Sequence, residues 1–180
     1  GTVVEFQGAL NSINGRDRSE AFAAYMKEKY PQMKVIEVPT DWKAEPAIAG
    51  LQTALAGGEV NGIYMQAGGV YLQPTLAFLR QQNKLVPAGQ AGHIVIVSND
   101  GIKSELEAIA RGDIDATISQ PADGYAHWAI FYAKAAAEGK TFQVGPTEHG
   151  SNIVQPREGL LEDQIAAPVV TADGATLGEL

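Results

Sequence analysis

The sequence predicts an α/β fold built on a doubly wound parallel sheet, and three observations carry that expectation. Apolar, mostly β-branched runs such as Ile94–Val97 are continuous rather than alternating, as strands covered on both faces are. Five such runs between Thr2 and Ser119 alternate with amphipathic helical segments, which is the βα repeat of a parallel sheet with right-handed crossovers. Each run also ends in polar residues or glycines just before the next helix, as in Ser98-Asn99-Asp100-Gly101.

Taken in order, Thr2–Gln7 reads as the first strand and Gly8–Gly15 as a polar loop. A helix over 16–29 follows, with Phe22, Tyr25 and Met26 on one face and Tyr30-Pro31 closing it. Lys34–Val38 is the second strand, and the helix over 44–56 presents Ile48, Leu51 and Leu55 before stopping at Gly57-Gly58. Gly62–Gln66 is the third strand; the helix after it, over 70–82, places Pro74 in its first turn, where a missing N–H is tolerated. The fourth strand is the run entering Asp100, followed by a helix over 102–111 and a fifth strand over 114–119. From Ala122 the texture changes: a helix to about Glu138 carries Tyr125, Trp128 and Tyr132, Thr141–Glu162 is loop-rich with one short strand over 152–155, and Ala166–Thr171 is a last apolar stretch.

Composition excludes several classes of function. A net charge of −8 argues against nucleic acid or an anionic membrane surface as partner, and no apolar run approaches a membrane span. The absence of cysteine removes disulfides, zinc thiolates and thiol nucleophiles. No dinucleotide, P-loop or nucleophile-elbow motif is present, and His93, His127 and His149 lie far apart, so neither a cofactor nor a metal site is expected. An enzyme of this class needs an acid–base pair at the strand ends; Asp41 and Asp100 are the candidates, and no nucleophile accompanies them.

Ligands of open α/β sheets bind beyond the carboxyl ends of the strands. Gln7, Asn11, Arg16, Asp41, Trp42, Gln66, Asn99, Asp100 and Gln120 fall there. The set joins a guanidinium fork, acceptor-only carboxylates, side-chain amides and an indole, which match the donor and acceptor pairs of vicinal hydroxyls and the C–H face of a ring. Arg16 near a helix start runs against the helix dipole, which favours a ligand role. Asp41 and Asp100 also read as caps of the helices that follow them, and Trp42 as packing.

Four blocks, FQGALNSINGRDRSEAF (6–22), VPTDWKAEPA (38–47), VSNDGIKSELEAI (97–109) and DATISQPADGYAHWA (115–129), give the chain a family resemblance. It resembles the type I periplasmic sugar-binding proteins of ABC importers, in the ribose-binding group, and more remotely the effector domains of LacI-type repressors. The resemblance implies that Arg16 grips sugar hydroxyls, Trp42 stacks on the ring, Asp100 accepts from hydroxyls and Gln120 contributes an amide at a hinge, while Asn11 and Gln66 are added from their place on the rim. Where the ribose-binding group has a sugar-binding Asn, this sequence has Ala67-Gly68-Gly69, which implies a differently substituted sugar or a sugar alcohol. It further implies a periplasmic protein (or extracytoplasmic lipoprotein) that hands its ligand to a membrane permease and is not an enzyme; the alternative is a sugar-sensing regulator domain. Residues 1–119 would be a C-terminal lobe, 120–165 a hinge crossing with a remnant of an N-terminal lobe, and 166–180 a returning strand and tail, as of a fragment, with the 122–138 helix free for self-association.

Overall fold

The computed structural model describes residues 1–173, and the tail beyond Asp173 lies outside the described residues. The chain divides into two compact units, one made of Gly1–Ser119 with residues 169–173, the other of Gln120–Pro168.

In the first unit, β1 (Thr2–Gln7), α1 (Ile13–Lys29), β2 (Lys34–Pro39), α2 (Ala44–Gly57), β3 (Gly62–Met65), α3 (Gly68–Gln81), β4 (Val95–Asp100), α4 (Lys103–Ala110) and β5 (Ala116–Ser119) alternate as the sequence predicts. β9 (Val169–Thr171) joins at the edge. The sheet order is β2-β1-β3-β4-β5-β9, with the first five strands parallel and β9 antiparallel to β5. This is a doubly wound, mostly parallel sheet, as the sequence predicts. Period-two alternation sends Val4, Phe6, Ile63, Met65 and Ile96 to one face, where they are fully buried with Leu51, Tyr71, Leu72, Leu76 and Leu79 of α2 and α3 and Ile109 of α4. On the opposite face α1 lays Phe22 against Tyr64, ring centroids 4.8 Å apart.

Several boundaries differ from expectation for identifiable reasons. α1 starts at Ile13 rather than at residue 16, because Ser12 caps it: the Ser12 Oγ accepts from the Gly15 N–H at 3.2 Å and donates to the Ala9 carbonyl at 2.8 Å. α3 starts at Gly68, since the Ala67 carbonyl accepts from the Val70 and Tyr71 N–H groups, so Pro74 sits inside the helix rather than in its first turn. β4 runs on through its polar residues, with Asn99 opposite Ile118 and Asp100 opposite Ser119 in the ladder.

The second unit holds α5 (Ala122–Ala137), β6 (Gly145–Pro146), β7 (Asn152–Arg157) and β8 (Leu160–Gln164), with β7 central in an antiparallel sheet. The one short strand expected over 152–155 is thus half of a hairpin that turns at Gly159, φ 74°. The aromatic side of α5 is met by this unit's own chain: Trp128 stacks on His149 with centroids 3.5 Å apart, and Tyr132 meets Phe142 edge-on at 4.8 Å. The Tyr132 hydroxyl donates to Asp163, which also pairs with His149 Nε2. Ile130 and Phe131 stay exposed, at 72% and 44%.

Candidate functional site

The carboxyl ends of β1, β2, β3 and β4 form a rim on which the loops are held by buried polar anchors. Gln66, at the end of β3, is wholly buried. Its Nε2 donates to Glu5 Oε1 at 2.9 Å and to Ser19 Oγ at 2.8 Å, while its Oε1 accepts from the Gly8 N–H at 2.8 Å. That corrects its reading as a rim ligand: its side chain ties the β1–α1 loop to the sheet and does not face outward. Burial pushes Glu5 itself up to about 7, with Glu37 adding to the effect against the Gln66 hydrogen bond.

A second anchor sits under the β4–α4 loop. Glu105, fully buried, accepts from Ser98 Oγ, from Thr117 Oγ1 at 2.9 Å and from the Ile102 N–H at 2.8 Å. Its carboxylate lies so close to Gly68 that a Cβ there would stand 1.9 Å from Glu105 Oε1. Only glycine fits at residue 68, whereas at residue 69 a Cβ would stand 3.3 Å from Asp100 Oδ2 and 3.7 Å from Ile102 Cδ1.

Asp100 does not cap α4, whose N-cap is Ile102. Its Oδ2 instead accepts from the Gly69 N–H at 2.9 Å, at the start of α3, a helix without an acidic residue in its own first turn. Half-burial pushes the Asp100 carboxyl above the ordinary carboxylate value, against the Gly69 hydrogen bond, with Glu105 adding and Arg18 opposing. Asp41 does not cap α2 either: the N-cap is Lys43, whose Nζ pairs with the Asp41 carboxylate at 2.8 Å.

Trp42 takes the packing role expected of it. Its ring covers Gly8 so closely that a Cβ at residue 8 would stand 2.0 Å from the indole, and it packs on the hydrophobic core while staying half-exposed. Backbone strain is concentrated here. Of the described non-glycine residues, four have positive φ, and three of them are Asp41 (54°), Trp42 (57°) and Asp100 (145°), all at strand ends.

Arg16 and Asn11 are exposed on the β1–α1 corner, and the Arg16 guanidinium pairs with Asp17 at 3.2 Å. The arginine that reaches the strand ends is Arg18, which the sequence reading passed over: its Nη1 donates to the Gln66 carbonyl at 2.7 Å and its charge acts on Asp100. Its spacing from Phe22 puts it on the helix flank nearer the sheet, a signal that was present in the sequence. Gln120 begins the second unit, where its Oε1 accepts from the Tyr125 hydroxyl at 2.8 Å. Among the described residues no His, Asp and Glu group is arranged to hold a metal ion, and no helix is long and apolar enough to cross a membrane.

Comparison with known structures fits this architecture. A sugar-binding protein of a sugar ABC transporter from Bacillus halodurans superposes with TM-score 0.66 at 19% identity, covering 96% of this chain and 56% of that one. A periplasmic solute-binding protein from Actinobacillus succinogenes 130z with bound D-allose gives 0.66 at 20% identity, covering 79% and 49%. A solute-binding protein from Bacillus halodurans C-125 with bound myo-inositol gives 0.65 at 19% identity, covering 79% and 47%. The chain therefore spans about half the length of the solved proteins it resembles. The family model for the periplasmic binding protein domain matches residues 1–141, and the chain belongs to that family.

Proposed function

We propose that the chain supplies one face of the ligand cleft in a solute-binding component of an ABC importer, taking a small sugar or sugar alcohol in the periplasm and presenting it to a membrane permease. The observation that carries this reading is the strained rim: Asp100 and Trp42 are held in costly backbone conformations beyond the carboxyl ends of two parallel strands of one sheet, β4 and β2, one offering a carboxylate and the other an indole. Asp100 Oδ1 accepts from a ligand hydroxyl while Oδ2 stays fixed on Gly69. Trp42 covers a C–H face of the ring, and Arg16 and Asn11 supply donors from the β1–α1 corner. Gln120 contributes its amide from the crossing into the second unit, and Gln66 acts at one remove by fixing Gly8. The D-allose and myo-inositol of two structural relatives are ligands of the same polyhydroxylated class. Residues 1–119 act as the C-terminal lobe, and closure on the ligand is the hinge motion known for two-lobed binders.

The test is a thermal-shift panel of pentoses, hexoses and cyclic polyols against the full-length protein. Ligand at a hundredfold above Kd stabilises by about 2.7 kcal/mol, so one compound class should raise the Tm and the Asp100→Asn variant should lose that rise. A flat response across the panel would overturn the reading.

A further inference from the structure

The geometry points to Glu105 as the positioning residue for the ligand-facing carboxylate of Asp100: one buried side chain fixes both the turn that carries Asp100 and the helix start to which Asp100 is bound. This rests on the reading of Asp100 as a ligand group and adds what holds it in place. Glu105 is the third residue of α4, where a glutamate ordinarily reaches back to the N-cap N–H from the surface. Glu105 makes that bond, to Ile102, and is nevertheless wholly buried. Two hydroxyls from neighbouring strands, Ser98 of β4 and Thr117 of β5, donate to its other oxygen. A carboxylate is costly to bury, and an exposed one would cap α4 equally well.

What the burial achieves lies in the two backbone N–H groups that follow Asp100. The Ile102 N–H donates to Glu105 directly, at 2.8 Å. The Gly101 N–H donates at 3.2 Å to Thr117 Oγ1, which in turn donates to Glu105 Oε1 at 2.9 Å. Asp100 itself has φ 145°, a conformation that persists only where its surroundings over-determine it. On the other side, Glu105 Oε1 lies so close to Gly68 that no Cβ is accommodated there. The next residue, Gly69, supplies the N–H that holds Asp100 Oδ2 at 2.9 Å. Turn and helix start therefore meet on one carboxylate. The direct interaction between the two carboxylates is repulsive, with Arg18 of α1 opposing it, so Glu105 holds Asp100 through the backbone and not by charge.

The variants are made in the full-length protein. Glu105→Gln keeps the shape and an acceptor for Ile102, Glu105→Ala removes all three bonds, and Thr117→Val keeps the packing volume while removing the link to Gly101. The first readout needs no ligand. In protein carrying isotope-labelled glycine, the Gly69 amide resonance, identified by its loss in Gly69→Ala, should follow Asp100 as it titrates in the parent and in Glu105→Gln. It should stop following in Glu105→Ala and in Thr117→Val. An amide that follows Asp100 equally in all of them would overturn the proposal. The second readout is calorimetric affinity for the panel compound that raises the Tm. Glu105→Ala should bind at least about tenfold more weakly on the parent background but change affinity by less than about twofold on the Asp100→Asn background, with Glu105→Gln near the parent. Equal losses on both backgrounds would show that Glu105 supports the fold at large, and would overturn the proposal. Where Glu105→Ala fails to fold, Thr117→Val carries both readouts. A panel without a binder would refute the sugar-binding reading, and the amide readout would then decide the role of Glu105.

Discussion

Glu5 gives the molecule a pH dependence whose sign and size follow from its burial. Its side chain is fully buried on β1, Oε1 accepts from Gln66 Nε2, and Oε2 has no hydrogen-bond partner among the described residues. Desolvation raises its pKa from 4.5 to about 7. The folded state therefore keeps a proton that the unfolded chain releases. Below pH 4.5 both states are protonated and Glu5 imposes no penalty. Between 4.5 and about 7 stability falls as pH rises, and above that the loss is complete. At about 1.4 kcal/mol per pH unit the full loss is about 3 kcal/mol. Glu5→Gln removes the titration but keeps the acceptor toward Gln66. Urea unfolding of both proteins at several pH values, followed by tryptophan fluorescence, reads the difference. The gap between Glu5→Gln and the parent should move in favour of the variant by about 3 kcal/mol from pH 4.5 to pH 8. A gap constant across that range would refute the assignment of a buried, protonated Glu5. Asp100, whose pKa is also raised, contributes equally to both proteins and cancels.

Two further predictions concern neighbouring positions. Gly68→Ala drives a Cβ into the buried Glu105 carboxylate and should cost at least about 2 kcal/mol, while Gly69→Ala, whose Cβ meets Asp100 Oδ2 at 3.3 Å and no closer atom, should cost clearly less by the same denaturation assay; equal costs would show that the α3 start is not pinned by Glu105. The exposed Ile130 and Phe131 on α5 predict self-association of the 180-residue chain, weakened by Ile130→Glu in sedimentation velocity; a monomer at every concentration would remove that expectation.

The sheet was legible because its signals are redundant. Five apolar runs, each with a helix behind it, fix order and direction even where an end is misplaced, as at the Ser12 cap or the start of α3. The rim was less legible, because a strand-end position says that a side chain is near the cleft and not which way it points. Gln66 and Asp100 lie at the carboxyl ends of adjacent strands, one residue past Met65 and two past its partner Ser98, yet Gln66 turns inward to Glu5, Ser19 and Gly8 while Asp100 reaches across to the Gly69 N–H. That difference depends on partners distant in sequence. Arg16 and Arg18 are two residues apart and therefore on different sides of α1, and only helical phase separates the solvent pair with Asp17 from the bond to the Gln66 carbonyl. The β7–β8 hairpin was missed because its strands are short, interrupted by Pro156 and mostly exposed, so no apolar alternation marks them.

The central claim is that Asp100, held by Gly69 at the end of β4, grips a hydroxyl of a sugar-like ligand. The most direct measurement is titration calorimetry of the full-length protein with the panel compound that raises its Tm, beside Asp100→Asn and Gly69→Ala. Loss of a charge-assisted hydrogen bond of about 1.5–3 kcal/mol predicts an affinity at least about tenfold weaker for Asp100→Asn, with Gly69→Ala nearer the parent. Undiminished affinity in Asp100→Asn would contradict the account.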